Sequence, residues 1–114
     1  MWRLPMLLCG AALGLTAQAA EPPSNARQQE LVRMVRQDCG SCHGMKLTGG
    51  LGPALTREAL AETPVLALKS TIYHGRPGTP MPPWRSMISE SEAEWIATKL
   101  RQGFPTEALA KDKS

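Results

Sequence analysis

The sequence predicts a small all-α domain of three to four helices, and three observations carry that expectation. Apolar residues recur at helical spacing in three separate segments, and no run alternates apolar with polar residues long enough to form a strand. Helix-breaking residues are gathered into two places. Gly40, Gly44, Gly49, Gly50, Gly52 and Pro53 crowd one segment, and Gly75, Pro77, Gly78, Pro80, Pro82 and Pro83 crowd another. Length is the third observation. The 114 residues open with Met1 and Arg3, an apolar run from Leu4 to Leu15, and Ala17-Gln18-Ala19, the pattern of an export signal over residues 1–19 cleaved after Ala19. Residues 20–114 then make one domain, with its core at 26–103 and a flexible tail at 105–114. No membrane span is expected once the leader is gone, because its apolar run is short and broken by Pro5, Gly10 and Gly14.

The first helix is predicted over Ala26–Asp38. Ser24 or Asn25 caps it, and Leu31, Met34, Val35 and Cys39 share one face. A short turn over Thr56–Ala61 precedes the second helix, which takes Thr63 as N-cap and Pro64 as its first residue. Val65, Leu66, Leu68 and Ile72 form its apolar positions, and it closes before Gly75. The last helix has the clearest start: Ser89 and Glu92 form a capping box, with Ile88 before the cap. Trp95, Ile96 and Leu100 follow, and Gly103 ends it.

These helices have little to pack around. After cleavage the aromatic residues are Tyr73, Trp84, Trp95 and Phe104, set against nine prolines and eight glycines. That is a thin recipe for a self-sufficient core in so short a chain. A disulfide framework is the usual remedy in an exported protein, but Cys9 departs with the leader and leaves only Cys39 and Cys42. Those two stand in Cys39-Gly40-Ser41-Cys42-His43, the C-x-x-C-H signature for attachment of a c-type haem. Two intervening residues let both sulfurs form thioethers to the two vinyl groups of one porphyrin, and the adjacent His43 is carried under the ring as an iron ligand. Other chemistries fit less well. A thioredoxin-like pair wants a strand before it, a zinc site needs two more ligands, and a plain disulfide would make His43 incidental. One haem c, covalently attached, is the expected cofactor.

An N-terminal helix ending in this motif, a C-terminal helix crossing it, and a methionine on a Pro/Gly-rich loop between them resemble a class I cytochrome c over residues 26–103. The resemblance implies that fold, with three to four helices wrapped around one covalent haem. Leu51-Gly52-Pro53-Ala54-Leu55 is similar to the family's segment after the haem motif, which implies that the Pro53 carbonyl accepts a hydrogen bond from His43 Nδ1–H. An ordinary turn proline is the alternative. Met81, in Gly78-Thr79-Pro80-Met81-Pro82-Pro83, matches the family's ligand loop and is the expected sixth iron ligand, with Met87 and His74 as alternatives. Met34 and Met87 read as core residues, and Met45 belongs to the side of His43. His74 is otherwise a group at a helix C-terminus. Trp84 and Arg85 follow the ligand loop as donors to a haem propionate, with Arg76 as a further candidate; loop packing is the plain alternative for Trp84. Trp95 is expected to pack the crossing of the terminal helices, although the small glycine that usually faces it in the family is not evident.

The chain without its leader carries a net charge of +2, and the excess sits on residues 43–89, where Lys46, Arg57, Lys69, Arg76 and Arg85 outnumber Glu58 and Glu62. A basic rim of this kind steers a protein onto an acidic partner, whereas ordinary solvated charges are the plain alternative. No paired carboxylates, activated nucleophile or phosphate loop is apparent, so an enzyme is not expected. The leading reading is a periplasmic, monomeric, monohaem electron-transfer protein with a redox protein as partner and no nucleic acid. The runs Gly49–Leu55 and Gly75–Trp84 further resemble the small cytochromes of bacterial denitrification clusters, which implies nitrite reductase as the electron acceptor. Two other readings stay open: a redox partner in maturation of that reductase's d-type haem, and a haem enzyme or gas-ligand sensor with a displaceable Met81.

Overall fold

Ser24 starts the first helix, its hydroxyl accepting from the Arg27 backbone N–H at 3.3 Å. The structure, a computed structural model, describes residues 21–106 together with Gly10 and Gly14. The expected leader, those two glycines apart, and residues 107–114 of the expected tail lie outside the described residues. From its cap the chain runs through α1 (Asn25–Met34), a π-helical segment (Val35–Cys39) and α2 (Gly40–His43) without a break.

The sequence expectation stopped this helix at Asp38, because Gly40 reads as a breaker. Gly40 instead keeps right-handed helical angles, φ −61° and ψ −26°, and is buried. The stop falls at Gly44, whose φ of +89° suits glycine alone among common residues. Widening of the π turn, with the Gly40 N–H reaching Val35 O, carries the helix through the cysteines while keeping Cys39 against the core. Leu31, Met34, Val35 and Cys39 all pack there, on the face the spacing assigned to them.

The second helix, α3 (Val65–His74), begins one residue later than expected. Pro64 has φ −61° but an extended ψ of 145°, so it is the N-cap and Thr63 lies outside. The fixed φ of proline suits both positions, and only ψ separates them. The Pro64 carbonyl accepts from Ala67 and Leu68, both at 3.1 Å. Before it, residues 56–62 form turns, with Leu60 N–H on Thr56 O and Ala59 N–H on Thr56 Oγ1. The last helix, α4 (Glu90–Gln102), follows its local signals. Glu92 N–H donates to Ser89 Oγ at 3.1 Å, Ser89 N–H donates to Glu92 Oε1 at 3.2 Å, and Gly103 closes it with φ +95°.

Leu31, Val35, Leu47, Leu60, Leu68, Ile72, Ile88, Ala93, Ile96, Ala97 and Leu100 make one aliphatic core, between α3 and α4 and under α1. Tyr73, Trp84, Trp95 and Phe104 are only partly buried at its margin, and Lys99 Nζ stands over the Trp95 ring. Lys69 joins α3 to Glu94 of α4 at 3.2 Å, and Arg27 of α1 bonds Glu92 and the Met87 carbonyl. Arg36, in the π segment, donates to the carbonyls of Phe104 and Pro105, so the chain is held where the sequence placed the start of a flexible tail. Among the described residues there is no strand, and no helix is long and apolar enough to cross a membrane.

Candidate haem site

Cys39 closes the π segment and Cys42 sits on α2, three residues on, so the two thiols lie one above the other on the same helical rod. Both are unpaired. Burial, and then the charge of Asp38, pushes the Cys39 thiol up to about 11, so it is protonated at neutral pH. That is the opposite of the acidified thiol a redox-active pair needs. Among the described residues no cluster of three His, Cys, Asp or Glu side chains is placed to hold a metal ion.

His43 ends α2, and its ring is fixed by the loop that follows. Its Nδ1 lies 2.7 Å from Pro53 O. A carbonyl only accepts, so Nδ1 carries the proton, and in the neutral ring Nε2 keeps its lone pair for another bond. The loop curls back onto the helix end: Gly49 N–H donates to His43 O and Gly52 N–H to Cys42 O, each at 2.8 Å. These bonds satisfy carbonyls that a helix terminus otherwise leaves open. Gly52 lies close against the imidazole, and a Cβ there would fall 2.8 Å from His43 Nδ1 and Cε1. Leu47 turns the loop with φ +59° while its side chain enters the core, a rare conformation for a residue with a Cβ.

The second loop is fastened to α3. Arg76 N–H donates to Met81 O at 3.2 Å, Met81 N–H to Thr79 Oγ1 at 3.3 Å, and Thr79 Oγ1 to Arg76 O at 2.6 Å. Trp84 N–H reaches back to Ile72 O at 3.2 Å. Met81 is half-buried, Arg76 and Arg85 are exposed, and Trp84 packs against the core. His74 is exposed at the end of α3 with its ring edge-on to Tyr73. Met34 joins the core, but Met87 does not: it is 53% exposed. The turn at 84–88 consumes its backbone groups, with its N–H on Trp84 O and its carbonyl on Arg27, and hands the inward place to Ile88.

These residues fit a covalently held haem: two unpaired thiols on one helix face, an imidazole with a free nitrogen, and a thioether on a pinned loop. The sequence reading missed the roles of Gly52 and Gly75 as contact surfaces and of Arg27 and Arg36 as links between elements. The glycines were visible as breakers, but what each touches depends on the folded chain. For the arginines no local signal exists, since their partners lie 60 to 69 residues away.

Comparison with known proteins shows what the chain as a whole is similar to. The family described as cytochrome c oxidase, cbb3-type, subunit III matches residues 26–98. Cytochrome c55X of Stutzerimonas stutzeri is 48% identical over 103 residues, which span 90% of each chain. Dihydro-heme d1 dehydrogenase of Pseudomonas aeruginosa is 35% identical over 105 residues, 92% of this chain and 20% of that longer one. The solved structure of the c-type cytochrome NirC superimposes with a TM-score of 0.69 at 51% identity, covering 70% of this chain and 94% of that one.

Proposed function

The chain belongs to the c-type cytochromes, and we propose that it is a periplasmic, monomeric electron carrier that passes single electrons to a nitrite reductase in denitrification. The haem, when bound, supplies a one-electron Fe(II)/Fe(III) couple. Cys39 and Cys42 hold it through thioethers, His43 Nε2 and the Met81 sulfur serve as the two iron ligands, and Trp84 and Arg85 donate to its propionates. The bond from His43 Nδ1–H to Pro53 O is the observation that carries this reading, because it orients the ring, fixes the tautomer and raises the basicity of Nε2. A soft sulfur as the second ligand would favour the reduced metal and suit a carrier. The excess of positive charge on residues 43–89 supports an acidic partner.

Optical spectra test the ligand set. A weak near-red sulfur-to-iron band in the oxidised protein, and no change when carbon monoxide is added to the reduced form, is the expected result. Met81→Ala should abolish the band and Met87→Ala should keep it; the reverse outcome would overturn the choice. A spectral change with carbon monoxide would favour a gas-ligand sensor instead.

Similarity to a dihydro-heme d1 dehydrogenase favours a second reading, in which the same site exchanges electrons during maturation of the reductase's d-type haem. Mixing the reduced protein with nitrite reductase at physiological salt separates the two. Prompt oxidation of the carrier supports donation, and its absence counts against the donor role.

A further inference from the structure

Arg27 lies on the first helix, far in sequence from either loop, yet its guanidinium converges on the point where the Met81 segment joins α4. Its Nε bonds Glu92 Oε2, its Nη2 donates to Met87 O at 3.1 Å, and its Nη1 meets Glu30 Oε2 at 2.8 Å. Glu92 is held in turn by the Ser89 N–H on its other oxygen, so the head group grips the cap of α4 from both sides. Met87 and Ile88 N–H groups both donate to Trp84 O, at 2.9 and 3.1 Å, and Trp84 N–H is tied to Ile72 O. A continuous set of bonds therefore runs from Arg27 through residues 84–88 to the base of the 75–83 loop. At the upstream end that loop is seated by close packing, for Gly75 lies against the backbone of Met81, Pro82 and Pro83. Beyond Trp84, which packs against the core, the downstream segment has no comparable packing: Arg85, Ser86 and Met87 are exposed. Its fixed points are Trp84, packed on the core and bonded to Ile72 O, Ile88 in the core, and the carbonyl that Arg27 holds.

We propose that Arg27 is a positioning residue for Met81, bracing the downstream end of the ligand segment against the first helix so that the sulfur stays seated. The proposal rests on the reading of Met81 as an iron ligand. Its consequence is that the affinity of an outside ligand competing with Met81 is set by a side chain that touches neither the iron nor the loop's own residues. A planar guanidinium suits the task, since it reaches one carbonyl and two carboxylates at once, which a lysine ammonium cannot do in the same geometry.

The test uses the haem-loaded protein and imidazole as the competing ligand. In Arg27→Ala, imidazole should bind roughly tenfold tighter, the size expected for losing charge-assisted bonds that hold the closed form. The near-red band should weaken, and the Trp84 and Ile88 amides should exchange faster with deuterium. Arg27→Lys and Glu92→Gln should lie between the unmodified protein and Arg27→Ala. Lys69→Ala, which removes a bridge between α3 and α4 without touching residues 84–88, is the control for a general loss of stability. It should lower the urea midpoint and leave imidazole affinity unchanged. The proposal is overturned if Arg27→Ala lowers the urea midpoint while imidazole affinity and the two exchange rates stay put, or if Lys69→Ala changes them equally. Absence of the near-red band from the unmodified protein would instead remove Met81 as the ligand, and amide exchange alone would then decide whether Arg27 braces the segment.

Discussion

At Gly52 an added Cβ would sit 2.8 Å from two ring atoms of His43, and at Gly75 it would meet Pro83 N at 2.6 Å, Pro82 C at 2.7 Å and Met81 O at 2.9 Å. The two clashes differ in what can yield. An imidazole can tilt, at the expense of its bond to Pro53, whereas the three atoms facing Gly75 are backbone. Gly75 also has φ +70°, which an L side chain resists. Gly52→Ala should therefore destabilise the haem-loaded protein by about 1–3 kcal/mol in urea unfolding, with an altered oxidised spectrum as the ring turns. Gly75→Ala should cost more and should erase the near-red band. Gly78→Ala is the internal comparison: its φ is +78° but nothing lies within 4 Å of the added atom, so only the backbone strain of about 1 kcal/mol remains. Equal losses at Gly75 and Gly78 would show that the close approach of the Met81 segment has no energetic weight.

Among the elements, α4 was legible in the sequence and the first helix only in part, and the reason is locality. Ser89, Glu92 and Gly103 act on their own neighbours, so the letters carry the geometry of that helix. The end of the first helix falls at Gly44 and not at Gly40, and the choice between these two glycines is set by the positive φ of Gly44 and its close approach to the Gly49 backbone. The haem motif was legible for a similar reason as α4, since attachment depends on covalent spacing alone. The exposure of Met87 was not, because it depends on Ile88 taking the core place and on Arg27 reaching its carbonyl from α1. The same contact between helices gives a pH dependence. Partial burial works against the charge on Glu92, but the Arg27 guanidinium and the Ser89 N–H outweigh it and hold the carboxyl below its ordinary value of 4.5. A lowered native pKa means the unfolded chain takes up the proton first as pH falls. This contribution is thus complete above pH 4.5 and is lost as pH drops through the depressed native value. Urea unfolding of the haem-loaded protein should show a fall in stability over that acid range. In Glu92→Gln, stability at neutral pH should be lower and the acid fall smaller; an unchanged acid profile would show that the bond between α1 and α4 contributes nothing through its charge.

Taken as a whole, the molecule has helices that are well begun and ended around a core that is small for the work asked of it. The fully buried side chains of largest volume are Leu31, Ile96, Val32 and Val35, all aliphatic, while every aromatic residue of the described chain stays at the margin. Large apolar side chains are left outside, including Leu51 at 95% exposure and Leu66 at 68%. Burial of a few aliphatic side chains must offset an ordering cost of about 1–2 kcal/mol per residue, and no disulfide relieves it, for Cys39 and Cys42 are unpaired. The two irregular loops are the largest unmet cost, since each fixes many residues for few buried side chains. Their bonds converge on His43 and Met81, the residues proposed to meet the iron, so the group that would reward their ordering is the haem itself. Folding and haem attachment should accordingly be one event. The Cys39→Ala/Cys42→Ala chain, purified without haem, should show weak helical circular dichroism, poorly dispersed amide resonances and no sigmoidal transition in urea. A cooperative transition with native helix content in that chain would mean that the aliphatic core suffices alone, and the loops would then need another reason for their order.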